Sequence, residues 1–325
     1  MRTQDMDGYT HSSPFDEGFV QAGEIHKVYY AQHGKPDGKP VIFLHGGPGG
    51  GTSLRDTRYF DPSIYRVVLI DQRGAGKSTP LADVRENTTQ LLIEDIETLR
   101  QKLQITQWDI VFGGSWGSTL SLAYAEAQPE VCKAVVLRGI FLGVEWEFDW
   151  TLRGTGPAIL FPDAWEKFVG HLGDAYDGKD PVKAYEKLLF SDDEKTRVDA
   201  AREWNRWELG ISNLVTPGDV WEKLGPEHDG WNLQHARIEC HYFMNGCFLR
   251  GDKLLLREEN VGKLRKLEVY IVQGRYDIVC PPKAAWALHK ALPDSKLYFT
   301  QAGHSANEPA TQAKLVEICD ELAKR

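Results

Sequence analysis

A serine, an aspartate and a histidine that follow one another along the chain, each in a turn, could together perform nucleophilic acyl transfer. The serine is Ser115, within Gly113-Gly114-Ser115-Trp116-Gly117. A serine hydroxyl is a poor nucleophile until a base removes its proton, so the chemistry demands a histidine and a carboxylate that orients it. Asp277 lies in the turn GRYD after the β-rich run LEVYIV, and His304 lies in the turn QAGHS after KLYFT. Taken singly, Asp277 reads equally as a turn former and His304 as a surface-loop histidine. Their shared context and the order Ser, Asp, His favour a triad. Small residues around Ser115 permit a sharp strand-to-helix turn that exposes its oxygen at a helix N-terminus, where the dipole favours developing negative charge.

The tetrahedral intermediate of such a reaction needs hydrogen-bond donors. Residues 45–51 read HGGPGGG directly after the run VIFL, the position of an oxyanion loop, and the expected donors are the backbone N–H groups of Gly47 and Trp116. The competing reading is a phosphate-binding loop, but its Lys-Ser/Thr ending is missing and Pro48 removes a donor. Residues 71–78 (DQRGAGKS) read as a polar turn that braces the neighbouring loops.

These residues need elements to hold them. Residues 27–32 (KVYYAQ) and 40–44 (PVIFL) are β-rich runs separated by the turn-forming HGKPDGK, which predicts two strands joined as a hairpin. Further strands are expected at 66–70, 108–112, 133–137, 267–272 and 296–300, and helices at 90–103, 118–127 and 311–324. The alternation predicts an α/β fold with a mostly parallel sheet covered by helices on both faces. It stops near Phe141. From 141 to 263 the chain is rich in Trp, Glu and Lys with helical periodicity, so a helical cap is expected there, inserted into a discontinuous core formed by residues 1–140 and 264–325.

The 325 residues, 42% of them hydrophobic, suffice for a large core. A formal charge of −9 without any Lys/Arg run disfavours a nucleic-acid partner. The opening residues lack the pattern of a secretion signal and no window reads as a membrane span, so the expected address is the cytoplasm. The five cysteines are scattered without CxxC or zinc-like spacing, which predicts reduced thiols, although Cys240 and Cys247 could meet. No metal or organic cofactor is expected.

With these motifs assembled, the chain resembles the proline iminopeptidase (prolyl aminopeptidase) family of α/β-hydrolase fold serine peptidases. The resemblance rests on HGGPGGG (45–51), DQRGAGKS (71–78), GGSWGS (113–118), LRGIF (137–141), GRYD (274–277) and AGHS (302–305). It implies a peptide or amide substrate with a free N-terminal proline. The segments Trp204-Asn205-Arg206-Trp207-Glu208 and residues 236–243 (ARIECHYF) look like the family's cap, and by that resemblance Glu208 and Glu239 bind the substrate's amino nitrogen. A secondary ammonium offers two N–H donors to such a carboxylate pair; composition alone would read both as surface glutamates in ion pairs. The resemblance also implies that Phe141 forms an aromatic wall and that Cys280 is a thiol beside the triad. Thr151 falls where the family has a pocket tyrosine. The rival readings are a carboxylesterase or amidase acting on a small natural product, and a non-catalytic ligand-binding receptor on a hydrolase scaffold.

Overall fold

Runs of β-branched and aromatic residues form the strands of one sheet in the computed structural model, which describes residues 8–325. The strands are β1 (Asp16–Ala22), β2 (His26–Gly34), β3 (Lys39–Leu44), β4 (Tyr65–Ile70), β5 (Trp108–Ser115), β6 (Cys132–Ile140), β7 (Glu268–Gly274) and β8 (Lys296–Thr300), in the spatial order β1-β2-β4-β3-β5-β6-β7-β8. β1 pairs antiparallel with β2 and β2 antiparallel with β4; every other pairing is parallel.

The central strands are apolar on both faces because both are covered. Along β3, Ile42 and Leu44 enter one core layer and Val41 and Phe43 the other, the two-residue alternation of a strand. The first layer is covered by α1 (Thr89–Lys102), α2 (Trp116–Ala127) and the helix Pro282–Ala291, through residues such as Ile96, Leu120 and Leu288. The second is covered by Tyr59, Phe60 and the final helix, through Leu315 and Ile318. Between β6 and β7 run only helices: α3 (Glu145–Leu152), α4 (Pro157–Leu160), α5 (Pro162–Gly170), α6 (Pro181–Leu189), α7 (Glu194–Ile211), α8 (Asp229–Met244) and α9 (Glu258–Val261), with short 3-10 turns; α10 (Pro282–Ala291) and α11 (Pro309–Ala323) follow. This insertion has its own core, built on Phe168, Tyr185, Trp204 and Trp207. Local signals start its helices: Asp180 caps α6 ahead of Pro181, and Asp193 caps α7 by accepting the Thr196 N–H.

Two expectations need correction. β2 and β3 do not form a hairpin, because β4 lies between them. The connection spends its hydrogen bonds on β4's start, with Lys35 N–H donating to Tyr65 O and Lys39 N–H to Ile64 O. Gly34 and Gly38 allow this approach; a Cβ at either would sit 2.4 Å from a β4-side carbonyl oxygen. The opening segment also contributes a strand, β1, not anticipated from its sequence. Only Val20 and Ala22 of β1 are buried, so an edge position hides its apolar signal.

Candidate active site

The strands β5, β7 and β8 run parallel, so the turns leaving their C-terminal ends gather along one edge of the sheet. Those turns carry Ser115, Asp277 and His304. Ser115 ends β5 and immediately precedes α2, with φ 59° and ψ −128°, a strained conformation for a residue with a side chain. Glycines make the elbow possible: a Cβ at Gly113 would lie 2.1 Å from Gly117 O, and one at Gly117 2.1 Å from Leu44 O.

His304 Nδ1 lies 2.8 Å from Asp277 Oδ2, and both residues are buried. Asp277 is held by four donors: the His304 ring, Gln273 Nε2 at 3.0 Å, and the backbone N–H groups of Val279 and Cys280 at 3.1 and 2.8 Å. An acceptor-only carboxylate facing Nδ1 makes that nitrogen the protonated one and leaves Nε2 with a lone pair. Nε2 lies 3.2 Å from Arg138 Nη1, which also donates to His304 O at 3.0 Å. Gly139, at φ +56°, makes room for the ring, since a Cβ there would stand 3.0 Å from His304 Cε1. Arg138, Gly139 and Gln273 were not singled out from the sequence, although LRGIF contains the first two.

Gly47 and Ser115 line the same cavity, and a Cβ on Gly46 would lie 3.4 Å from Ser115 Cβ, so the glycine loop runs directly over the serine. Trp116 is the first residue of α2, where backbone N–H groups lack intrahelical partners. The loop is braced from two sides. Gln72 donates from its backbone to His45 Nε2 and from its side chain to His45 O, and accepts from Trp116 Nε1 at 2.8 Å. From the insertion, α8 contributes Trp231 Nε1 to Gly50 O at 3.0 Å and Gln234 Nε2 to Gly49 O at 2.9 Å. The polar turn at 71–78 is thus a brace: Asp71 accepts from Thr52 and Lys77 backbone N–H groups.

One cavity joins Ser115 and Gly47 to Phe141, Cys280, Glu208 and Glu239. Phe141 packs edge-on against Phe148 and Phe243, with ring centroids 5.8 and 5.9 Å away, forming an aromatic wall. Cys280 lines the cavity together with Ser115, and burial, with Asp277 and Glu147 adding, pushes its thiol well above the usual range, so it is held neutral. Thr151 lines the cavity too, but its hydroxyl is committed to Val279 O at 3.0 Å. Cys240 and Cys247 are both free and buried.

Glu208 on α7 and Glu239 on α8 face one another across the cavity. Glu239 is buried and accepts the Trp204 Nε1–H at 2.5 Å. Burial and the neighbouring Glu208 push its carboxyl well above the ordinary carboxylate range. His235 Nδ1 is 3.9 Å from an oxygen of each glutamate. Among the described residues, Glu208, His235 and Glu239 form the one group of His, Cys, Asp and Glu side chains close enough to hold a metal, with ligand atoms within 4.8 Å.

A chain of amides takes up the His235 nitrogen nearest the two glutamates. Asn232 Nδ2 donates to Lys223 O and His228 O, so its Oδ1 accepts from Asn205 Nδ2. Asn205 Oδ1 is left to accept from His235 Nδ1 at 2.7 Å, which makes Nδ1 a donor with no lone pair for a cation. Burial also holds His235 below its usual value, hence neutral, with Glu208 acting in the opposite direction. The arrangement is a carboxyl pair with aromatic walls, suited to an organic ammonium.

The chain matches a family model described as alpha/beta hydrolase fold over residues 39–311. It is 49% identical over 309 residues to a proline iminopeptidase of Arabidopsis thaliana, covering 95% of this chain and 80% of that protein. It is 44% identical over 318 residues to a proline iminopeptidase of Neisseria gonorrhoeae, covering 98% and 99%. Among solved structures, a proline iminopeptidase of Mycobacterium smegmatis is similar with a TM-score of 0.55 at 19% identity, covering 95% of this chain and 98% of that one. An esterase from Exiguobacterium antarcticum has a TM-score of 0.60 at 20% identity, covering 94% and 99%. Likeness at such low identity speaks to the fold alone.

Proposed function

The chain belongs to the proline iminopeptidase family within the α/β-hydrolase fold, and from that premise we propose that it releases N-terminal proline from peptides through Ser115, His304 and Asp277. The division of labour follows the two-part build: residues 1–140 and 264–325 form the core that does the chemistry, and residues 141–263 form the cap that selects the substrate. Glu208 and Glu239 take the two N–H donors of the substrate's secondary ammonium, and Phe141 lies against its ring. This places the first carbonyl of the peptide at Ser115 and no later one.

His304 Nε2 removes the Ser115 proton as the oxygen attacks that carbonyl, while Asp277 stabilises the imidazolium through Nδ1–H. The backbone N–H groups of Gly47 and Trp116 receive the oxyanion. His304 protonates the leaving nitrogen, and a water activated by the same ring then frees proline from the acyl-enzyme. The five buried, free cysteines fit a reducing compartment, which supports a cytoplasmic address.

The observation that carries this reading is a single cavity that reaches from Ser115 to both cap carboxylates. It is tested by following release of a chromogenic amine from unblocked proline, N-acetylproline and alanine derivatives. Turnover confined to the unblocked proline substrate, absent in Ser115→Ala and weakened in Glu208→Gln, is expected. Equal turnover of the acetylated substrate would leave a serine hydrolase but remove the amine role of the glutamates.

A further inference from the structure

The cavity that holds both cap glutamates excludes His304; a second, open cleft shares Ser115, Gly47 and Glu208 with it and is lined by His304 and Arg138 but not by Glu239. Because His304 must protonate the leaving nitrogen, the part of the peptide after the scissile bond lies in this second cleft. Arg138, on β6, is half-buried there. Its guanidinium fills the space that a side chain at Gly114 would take, since a Cβ at that glycine would lie 2.5 Å from Nη2. Among the described residues no carboxylate stands within ion-pair distance of it, and its buried Nε–H has no acceptor. That nitrogen is closed off against Gly114, but the guanidinium as a whole is a permanent cation that lines the cleft without a counter-carboxylate, which suits an anionic ligand.

Distance identifies that ligand. Arg138 Nη1 is 3.2 Å from His304 Nε2, and the leaving nitrogen must come within about 3 Å of the same Nε2. In an amino acid the carboxylate carbon lies about 2.5 Å from its nitrogen, so the α-carboxylate of the residue directly after proline falls beside the guanidinium. We propose that Arg138 binds this free α-carboxylate, so that the site reads both ends of a Pro-Xaa dipeptide and favours it over longer or amidated peptides. Arg138 is then a specificity residue for the leaving side, as the cap glutamates are for the amine side. The nearby Asp56 carboxylate does not compete, being turned to the Ser53 backbone and hydroxyl.

The inference rests on the peptidase reading above, and the test separates the two. kcat/KM is measured for Pro-Ala and for Pro-Ala-NH2 with the wild type and with Arg138→Gln, and the ratio of the two substrates is taken within each protein, which cancels any effect of Arg138 on His304 that both share. The free acid is expected to be favoured in the wild type by about tenfold or more, as a charge-assisted bond would give, and the ratio to fall toward one in Arg138→Gln. A wild-type ratio of one or below overturns the proposal even if the variant fails to fold, and so does a preference that survives the substitution. Release of proline from neither peptide would instead overturn the function on which it rests.

Discussion

Two carboxyl groups within 4.8 Å, one of them buried, cannot both ionise cheaply without a cation between them. The free site therefore keeps a proton, centred on Glu239, whose affinity for it is raised by burial and by Glu208. In the proposed function a substrate ammonium supplies the missing positive charge, so the proton is expected to leave as the amine binds. Binding is then favoured as pH rises toward the raised Glu239 value, because the free state holds more protons than the bound one. Titration calorimetry with pyrrolidinium near neutral pH, in buffers of differing ionisation enthalpy, should register release of roughly one proton. Glu239→Gln should bind the cation more weakly and release none. Binding without proton release in the wild type would mean that the pair is already fully ionised. Both glutamates were legible in the sequence only through motif resemblance. His235 and the Asn205–Asn232 amides that set its tautomer were not, because they act through contacts between α7 and α8 that no local pattern encodes.

Helix α2 shows the same electrostatics acting on stability. It is buried from Trp116 to Glu126, and Glu126 itself is 6% exposed with Oε1 lacking any partner. Burial pushes this carboxyl up to about 9, with Lys263 opposing. An unfolded chain would ionise it near its usual 4.5, so between roughly pH 4.5 and 9 the native state binds the extra proton. Stability is therefore lost as pH rises through that window. Glu126→Gln should stabilise the protein by on the order of 2 kcal/mol at pH 7, with the gain vanishing below pH 4.5. Urea unfolding of both proteins across that range checks it, and a difference independent of pH would contradict it. The apolar run of α2 and those of β3 to β8 are what made most of the fold legible. Elements failed to show where the signal is not local: β1 buries only two side chains, and the turn between β2 and β3 gives no hint that β4, more than twenty residues later, enters between them.

At the scale of the molecule, the proposed chemistry and the proposed recognition sit on different parts of the chain, and contacts on two sides of the site join them. On one side α8, which carries Glu239, holds the oxyanion loop through Trp231 and Gln234. On the other, the end of α7, which carries Glu208, touches the histidine loop: Ser212 O accepts the backbone N–H groups of both His304 and Ser305. Glu308 fastens this second contact. One of its oxygens takes Gly303 N–H at 2.7 Å, and the other takes Leu214 N–H at 3.2 Å. A single carboxylate thus pins the residue before His304 and the loop just past α7 together, which holds the proposed amine site at a set distance from the proposed base. Glu308→Ala leaves both donors without that acceptor and should lower stability by about 1–2 kcal/mol. Its larger effect should be on recognition. The KM for unblocked prolyl amides is expected to rise about tenfold, on the scale of one lost hydrogen bond to a charged group, while labelling of Ser115 by a fluorophosphonate, which ignores the amine site, changes little. If labelling falls as KM rises, Glu308 serves the histidine loop alone, and the cap is positioned by other contacts such as those of α8.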